Sequence, residues 1–184
     1  MLILWLGIML AVPVWLHWRG TGAAGLSLGV AAIYGLIAAG VWLVTILPPD
    51  AAQMVLRTVT LSDQDVDGSY HDTYYVVANG MVLFTPALLF GGIGFILWVL
   101  TRWDALRHQR IAKTLFWVLH LSVLGLPLVD TIFVRRGMRR RFIDYEEAMA
   151  LPIAIQNTLA GVAAATFLTI VALMLWSAIA RLRR

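Results

Sequence analysis

The sequence predicts an all-α, polytopic membrane protein with five transmembrane helices, and three observations lead there. Apolar residues make up 61% of the 184 positions and charged ones only 13%, where soluble domains run near about 45–50% and about 25%. The apolar residues are gathered into blocks of roughly 18 or more with almost no charge, the length that crosses a hydrocarbon core of about 30 Å. Mean hydropathy is +0.84, and in lipid a bare backbone amide has no partner outside the protein, so these blocks are read as helices. There is no fixed repeat and no low-complexity tract, and residues 1–184 read as one membrane domain.

The first block gives a helix at about 2–18. Small residues follow it in Gly20 to Gly25, as after a signal peptide, but the first cation, Arg19, comes behind the apolar run and not ahead of it. It is therefore kept as a span with its N-terminus outside. The second helix falls at about 25–47, and the third, at about 75–100, contains Gly91-Gly92-Ile93-Gly94. Gly91, Gly92 and Gly94, with Gly35 and Gly40 in the second span, offer close helix approach. The fourth helix, at about 113–134, carries His120 and Asp130, and the fifth lies at about 150–179. Trp15, Trp18, Trp103 and Trp176 stand near span ends, where interfacial belts form.

A carboxylate at the centre of a span costs roughly 2.5–3.5 kcal/mol on insertion scales. Asp130 is about one turn from Arg135 and is read as an interfacial or paired residue, with a proton-path role as the alternative. His120 precedes it by ten residues, about 280° around a helix of 3.6 residues per turn, so the two do not share a face. A lone His among Leu and Val reads as a hydrogen-bonded packing residue, and His108, in a charged loop, as solvated. No two His stand at i, i+4, so spacing alone proposes no metal site.

There is no cysteine, so a disulfide framework, zinc ribbon, iron–sulfur cluster or thiolate-bound copper is excluded. The net charge of +4 sits at the ends of the apolar blocks and reads as a topology signal rather than a nucleic-acid surface. With the N-terminus outside, Arg19, Arg102, Arg107, Arg110, Lys113, Arg181, Arg183 and Arg184 lie inside. Arg57, Arg135, Arg136, Arg139, Arg140 and Arg141 lie outside. The run from Arg135 to Arg141 is the exception to the positive-inside rule and calls for anions. The outer loops are 48–74 and 135–149, and the first holds Asp50, Asp63, Asp65, Asp67 and Asp72 against Arg57. Arginine suits bidentate carboxylate contacts, so the two loops are expected to pair, the alternative being two solvated loops.

The third span opens His71-Asp72-Thr73-Tyr74-Tyr75-Val76-Val77-Ala78-Asn79-Gly80-Met81. This resembles the start of the tenth helix of subunit I of the haem-copper cytochrome oxidases, where His-Asp-Thr-Tyr-Tyr-Val-Val-Ala runs into a His-aromatic-His ligand motif. Asp67 stands where that family has an Asp, four residues before the His. Gly137-Met138-Arg139-Arg140-Arg141-Phe142-Ile143-Asp144-Tyr145 resembles the family's Gly-Met-Pro-Arg-Arg-Tyr-x-Asp-Tyr loop between helices eleven and twelve, with Arg139 replacing the Pro. The spacing from Ala112-Lys113 to Gly137-Met138 agrees with the eleventh helix, and Asn157-Thr158 with the start of the twelfth. Helices eight and nine are matched mainly through Ala11-Val12-Pro13. The resemblance runs over roughly residues 67 to 180 and implies the C-terminal five of twelve helices, ending on the inner side.

For that family the resemblance implies reduction of O2 to water coupled to proton pumping, with two haems and a copper. Its tenth helix gives one His to each haem, and those positions here are Asn79 and Met81. Asn is not an effective iron ligand, and a Met in a lipid-spanning helix is more often packing than ligand. The family's remaining ligands lie on helices two, six and seven, which this chain lacks. Its proton-uptake Lys has no counterpart, although His17 falls near that position. The outer polar layer is kept. By resemblance Arg140 and Arg141 are propionate-side residues, and His71 and Asp72 lie beside them at a magnesium position. The reading preferred for these residues is a structural ion-pair cluster of Asp67, Asp72, Asp144, Arg140 and Arg141.

The function that follows is a redox-inactive, truncated relative of oxidase subunit I. It serves as a structural or accessory subunit beside other membrane subunits of a respiratory complex, in a bacterial cytoplasmic membrane, with lipid around it and no nucleic-acid partner. No cofactor is expected of the chain alone, haem or magnesium entering only with partner subunits, and no catalysis by itself. One alternative is the C-terminal portion of a split oxidase, against which Asn79 argues. The other, a transporter or lipid-binding protein, rests on Asp130 and His120.

Overall fold

In the computed structural model, residues 2–46, 48, 73–135 and 150–183 are described. They form five helices: α1 (Leu2–Trp18), α2 (Ala23–Ile46), α3 (Thr73–Arg102), α4 (Gln109–Arg135) and α5 (Ala150–Leu182). Among the described residues four helices are long and apolar enough to cross a membrane, in α2, α3, α4 and α5. α1 is a shorter apolar helix; its 17 residues reach about 25 Å, less than a hydrocarbon core of about 30 Å. The helices run past the apolar blocks: α3 takes in Arg102, α4 starts at Gln109 before Arg110 and Lys113, and α5 continues to Leu182. Straight-chain polar residues are good helix formers, and the interface solvates their charges, so the helix does not stop where the hydrocarbon does.

Two helices end with the same device. At the end of α1, Gly20 N–H donates to the His17 carbonyl at 3.0 Å and Thr21 N–H to the Leu16 carbonyl at 3.1 Å. At the end of α3, Asp104 N–H donates to Thr101 at 3.1 Å and Ala105 N–H to Leu100 at 2.8 Å. Each is a Schellman closure, which needs a left-handed residue just past the helix: Gly20 at φ 78° and Asp104 at φ 51°. Glycine adopts that conformation freely, whereas aspartate is among the few side chains that tolerate it. Leu100 and Ala105, the positions whose apolar contact accompanies the motif, are both buried. Orphan carbonyls are thus met by backbone at the ends of both helices.

The chain forms two compact units, Met1–Ile96 and Leu97–Arg184. In the first, α1 packs on α2, and α2 buries Ala23, Ser27, Val30, Tyr34 and Ala38, a stripe of helical period. α3 meets α2 at Gly94, where an added Cβ would lie 2.9 Å from the Leu28 backbone nitrogen and 2.8 Å from its Cγ. The absence of a side chain lets the two backbones approach. Gly91 makes ordinary contact distance with Ala31, 3.7 Å. The expectation for Gly92, Gly35 and Gly40 is corrected, because among the described residues no atom of a neighbouring helix lies within 4 Å of their Cβ positions. Gly92 is turned about 100° from Gly91, and Tyr34 and Ala38 hold the inward positions beside Gly35 and Gly40.

In the second unit α4 and α5 pack along one another. α4 buries Ala112, Phe116, Leu119, His120 and Leu124, and α5 buries Thr166, Ile170, Met174 and Ser177 at spacings of four, four and three. The Cβ position of Gly125 comes within 2.9 Å of the Leu159 side chain. Outward positions are large and apolar, with Leu36, Trp42, Leu88, Leu168 and Trp176 exposed, as on a surface that faces hydrocarbon. Trp15, Trp18 and Trp103 are exposed as well, and the Arg19 guanidinium lies 4.1 Å from the Trp15 ring centroid. That contact holds a cation over an aromatic at the end of α1.

Two outcomes follow. Gly94→Ala should destabilise the protein by about 1–3 kcal/mol through overpacking, while Gly92→Ala should change stability by less than about 0.5 kcal/mol, read as thermal unfolding in mild detergent. Gly20→Ala should lose about 1–2 kcal/mol for a left-handed side chain, and Asp104→Gly should gain stability, in the same measurement.

Candidate functional site

The positions that the resemblance singles out for iron, 79 and 81, lie within α3, which is continuous from Thr73 to Arg102. Two residues apart on a helix of 3.6 per turn, they are about 200° apart, on nearly opposite sides of the axis. A helix so placed offers one position to each of two neighbours. The residue types there are Asn and Met. An amide nitrogen has its lone pair delocalised into the carbonyl, so Asn presents only a weak oxygen donor where an imidazole would bind iron. A thioether is a soft, neutral donor that serves equally as core packing.

The side chains of Asn79 and Met81 lie outside the described set. So do His71, Asp72, Asp67, Asp144, Arg140 and Arg141, which make up the expected propionate-side, magnesium and ion-pair positions. Position 130 belongs to α4 and precedes its last residue, Arg135, by five; the Asp130 side chain is also outside the description.

His120 is fully buried in α4. Its ring stacks on Phe116, one turn earlier, with centroids 5.7 Å apart and planes at 9°, and meets Trp117 edge-on at 6.1 Å. Phe116 and Trp117 are themselves edge-to-face at 5.4 Å. This is an aromatic packing cluster, and it bears out the packing part of the role expected of His120. His17 and His108 are exposed. Among the described residues, no three His, Cys, Asp or Glu side chains are grouped to hold a metal ion.

The sequence reading passed over the buried hydroxyls. Ser27 Oγ and Tyr34 OH lie on the inward stripe of α2, two turns apart, and Ser177 Oγ lies on that of α5. None of the three has a hydrogen-bond partner among the described residues. The Tyr34 ring stacks on Phe90 of α3 at 6.2 Å with planes 2° apart, so aromatic contact sets its direction. Thr101, Thr158, Thr166 and Thr169 instead donate to the carbonyl four residues earlier, at 2.7–2.8 Å. The seven-residue spacing of Ser27 and Tyr34 was a legible signal that both share one face of α2.

The chain is similar over half its length to three proteins named cytochrome c oxidase subunit 1. With that of Cereibacter sphaeroides it is 33% identical over 93 residues, 50% of this chain and 16% of that protein. With that of Albinaria turrita it is 31% identical over 94 residues, 50% of this chain and 48% of that protein. With that of Candida albicans it is 31% identical over 94 residues, 50% of this chain and 18% of that protein. The alignments thus cover less than half of each of these curated relatives. No family profile and no solved structure matches it. The protein is an α-helical membrane protein, half of which is similar in sequence to cytochrome c oxidase subunit 1.

A buried hydroxyl without a partner costs about 1–3 kcal/mol. Ser27→Ala and Tyr34→Phe should therefore each raise stability, by about 1 kcal/mol, as an increase in the midpoint of thermal unfolding in detergent.

Proposed function

We propose that the chain is a redox-inactive relative of cytochrome c oxidase subunit I that acts as a structural or accessory subunit of a respiratory membrane complex. The observation that carries the proposal is the pair Asn79 and Met81, at the two α3 positions where the family places haem-ligating histidines. The donor set does not fit iron: the amide is a poor ligand, and a single thioether does not replace two imidazoles. The described histidines are the buried, ring-packed His120 and the exposed His17 and His108. The chain needs no cofactor of its own in this reading, and haem or magnesium enters only through partner subunits.

The retained outer residues serve as a lock between loops. Asp67, Asp72 and Asp144 neutralise Arg140 and Arg141, which would otherwise stand as uncompensated guanidiniums at the membrane face. The N-terminus lies outside and the C-terminus inside a bacterial cytoplasmic membrane, following the loop cations. A second reading, the C-terminal portion of a split haem-copper oxidase, is favoured by the small share of the Cereibacter sphaeroides protein that the chain covers, 16%. A separate polypeptide would then supply the remaining helices and ligands.

A visible absorption spectrum of the protein purified in mild detergent, with co-purifying proteins identified, separates the two. The accessory reading expects no stoichiometric Soret band and expects respiratory subunits alongside. A stoichiometric Soret band sinks it in favour of the split oxidase. The loop lock is tested by a double-mutant cycle of Arg140→Ala and Asp72→Ala. Coupling of about 0.5–3 kcal/mol is expected, and additive losses would show that the loops are not paired.

A further inference from the structure

The cations at one end of the second unit have no role in the site described above. α4 and α5 are each long and apolar enough to cross a membrane and pack along one another, and two successive crossings of one chain run in opposite directions. Their contact at Gly125 and Leu159 sets the register. From that level Gln109 is about 24 Å away along α4 and Arg181 about 33 Å along α5, in the same direction. The start of α4 and the end of α5 therefore lie at one end of the unit. The six-residue connection 103–108 keeps the end of α3 there too.

That end gathers Arg102, Arg107, Arg110, Lys113, Arg181 and Arg183. All except the partly covered Lys113 are exposed. Asp104 is the only Asp or Glu in residues 97–129 and 150–184, so it can neutralise at most one of the six. The first turn of α4 contains no acidic residue either, which leaves its N-terminal dipole adding to the positive field. Trp103 and Trp176 are exposed near the same level, as interfacial anchors are. Topogenesis explains why the cations are on one side, but it does not supply their counter-charge in the folded protein.

We propose that this end of α3, α4 and α5 is a binding surface for anionic phospholipid headgroups. Guanidiniums are matched to phosphate oxygens by charge and by fork geometry. Their position at the ends of membrane-crossing helices puts them where headgroups lie, and each cation near such a surface strengthens binding roughly fivefold.

Native mass spectrometry of the full chain in mild detergent tests the proposal, with phosphatidylglycerol and phosphatidylcholine of identical acyl chains supplied in equal amounts. In detergent the measurement is independent of membrane sidedness. The wild-type protein should retain phosphatidylglycerol over phosphatidylcholine by about tenfold or more at low salt, and the preference should fall as salt is raised. Replacing Arg107, Arg110, Arg181 and Arg183 together with Gln should bring the ratio near one. If that variant does not fold, Arg181→Gln with Arg183→Gln, confined to the exposed end of α5, should still lower the preference several-fold. A wild-type protein without preference, or folded variants that keep it in full, would overturn the proposal.

Discussion

A backbone amide in hydrocarbon can hydrogen-bond only to other protein groups, and the structure follows from that constraint. It makes every described regular element a helix, and it makes the ends of those helices the critical points, since there the internal ladder runs out. At Gly20 and Asp104 the chain turns left-handed and feeds its own amides back to the open carbonyls. Because the ladder is already complete, packing between helices has little left to gain from hydrophobicity. It depends on close approach, as at Gly94 against Leu28, and on stacked rings, as between Tyr34 and Phe90.

The same geometry bears on function. A helix passing between two cofactors serves both only if its ligating positions are about half a turn apart around the axis, and positions two residues apart meet that condition. Positions 79 and 81 of α3, which the resemblance aligns with such ligands, have that spacing and carry Asn and Met. Under the proposed function, the scaffold persists after its chemistry has gone. Its polar ends then matter more than its middle: arginines that need carboxylates on one side, and cations that need phosphate on the other.

The reach of the sequence differed by feature. Helix positions were legible because apolar blocks are local, and the departures at the ends, such as α4 starting at Gln109 and α5 running to Leu182, arise because polar residues remain helical at the interface. His120 was legible as a packing residue from its apolar neighbours. Among the glycines, five looked equivalent in the sequence; Gly94 makes a close approach, Gly91 an ordinary contact, and Gly92, Gly35 and Gly40 face open space. Composition cannot separate them, since the distinction depends on which face a neighbouring helix covers. Asp104 as a helix terminator was equally hidden, because aspartate is common in ordinary loops.

The sequence by itself determined the all-α membrane class, the five helical segments, the absence of thiol chemistry and the residue types at positions 79 and 81. These are properties of composition and of short spacing, and each can be read without knowing what lies across the bundle. Only the tertiary structure decided which small residues meet a neighbouring helix and which hydroxyls are buried without a partner among the described residues. Those facts depend on contacts between segments distant in sequence, where the register of one helix against another, and not the identity of a residue, sets what each side chain meets.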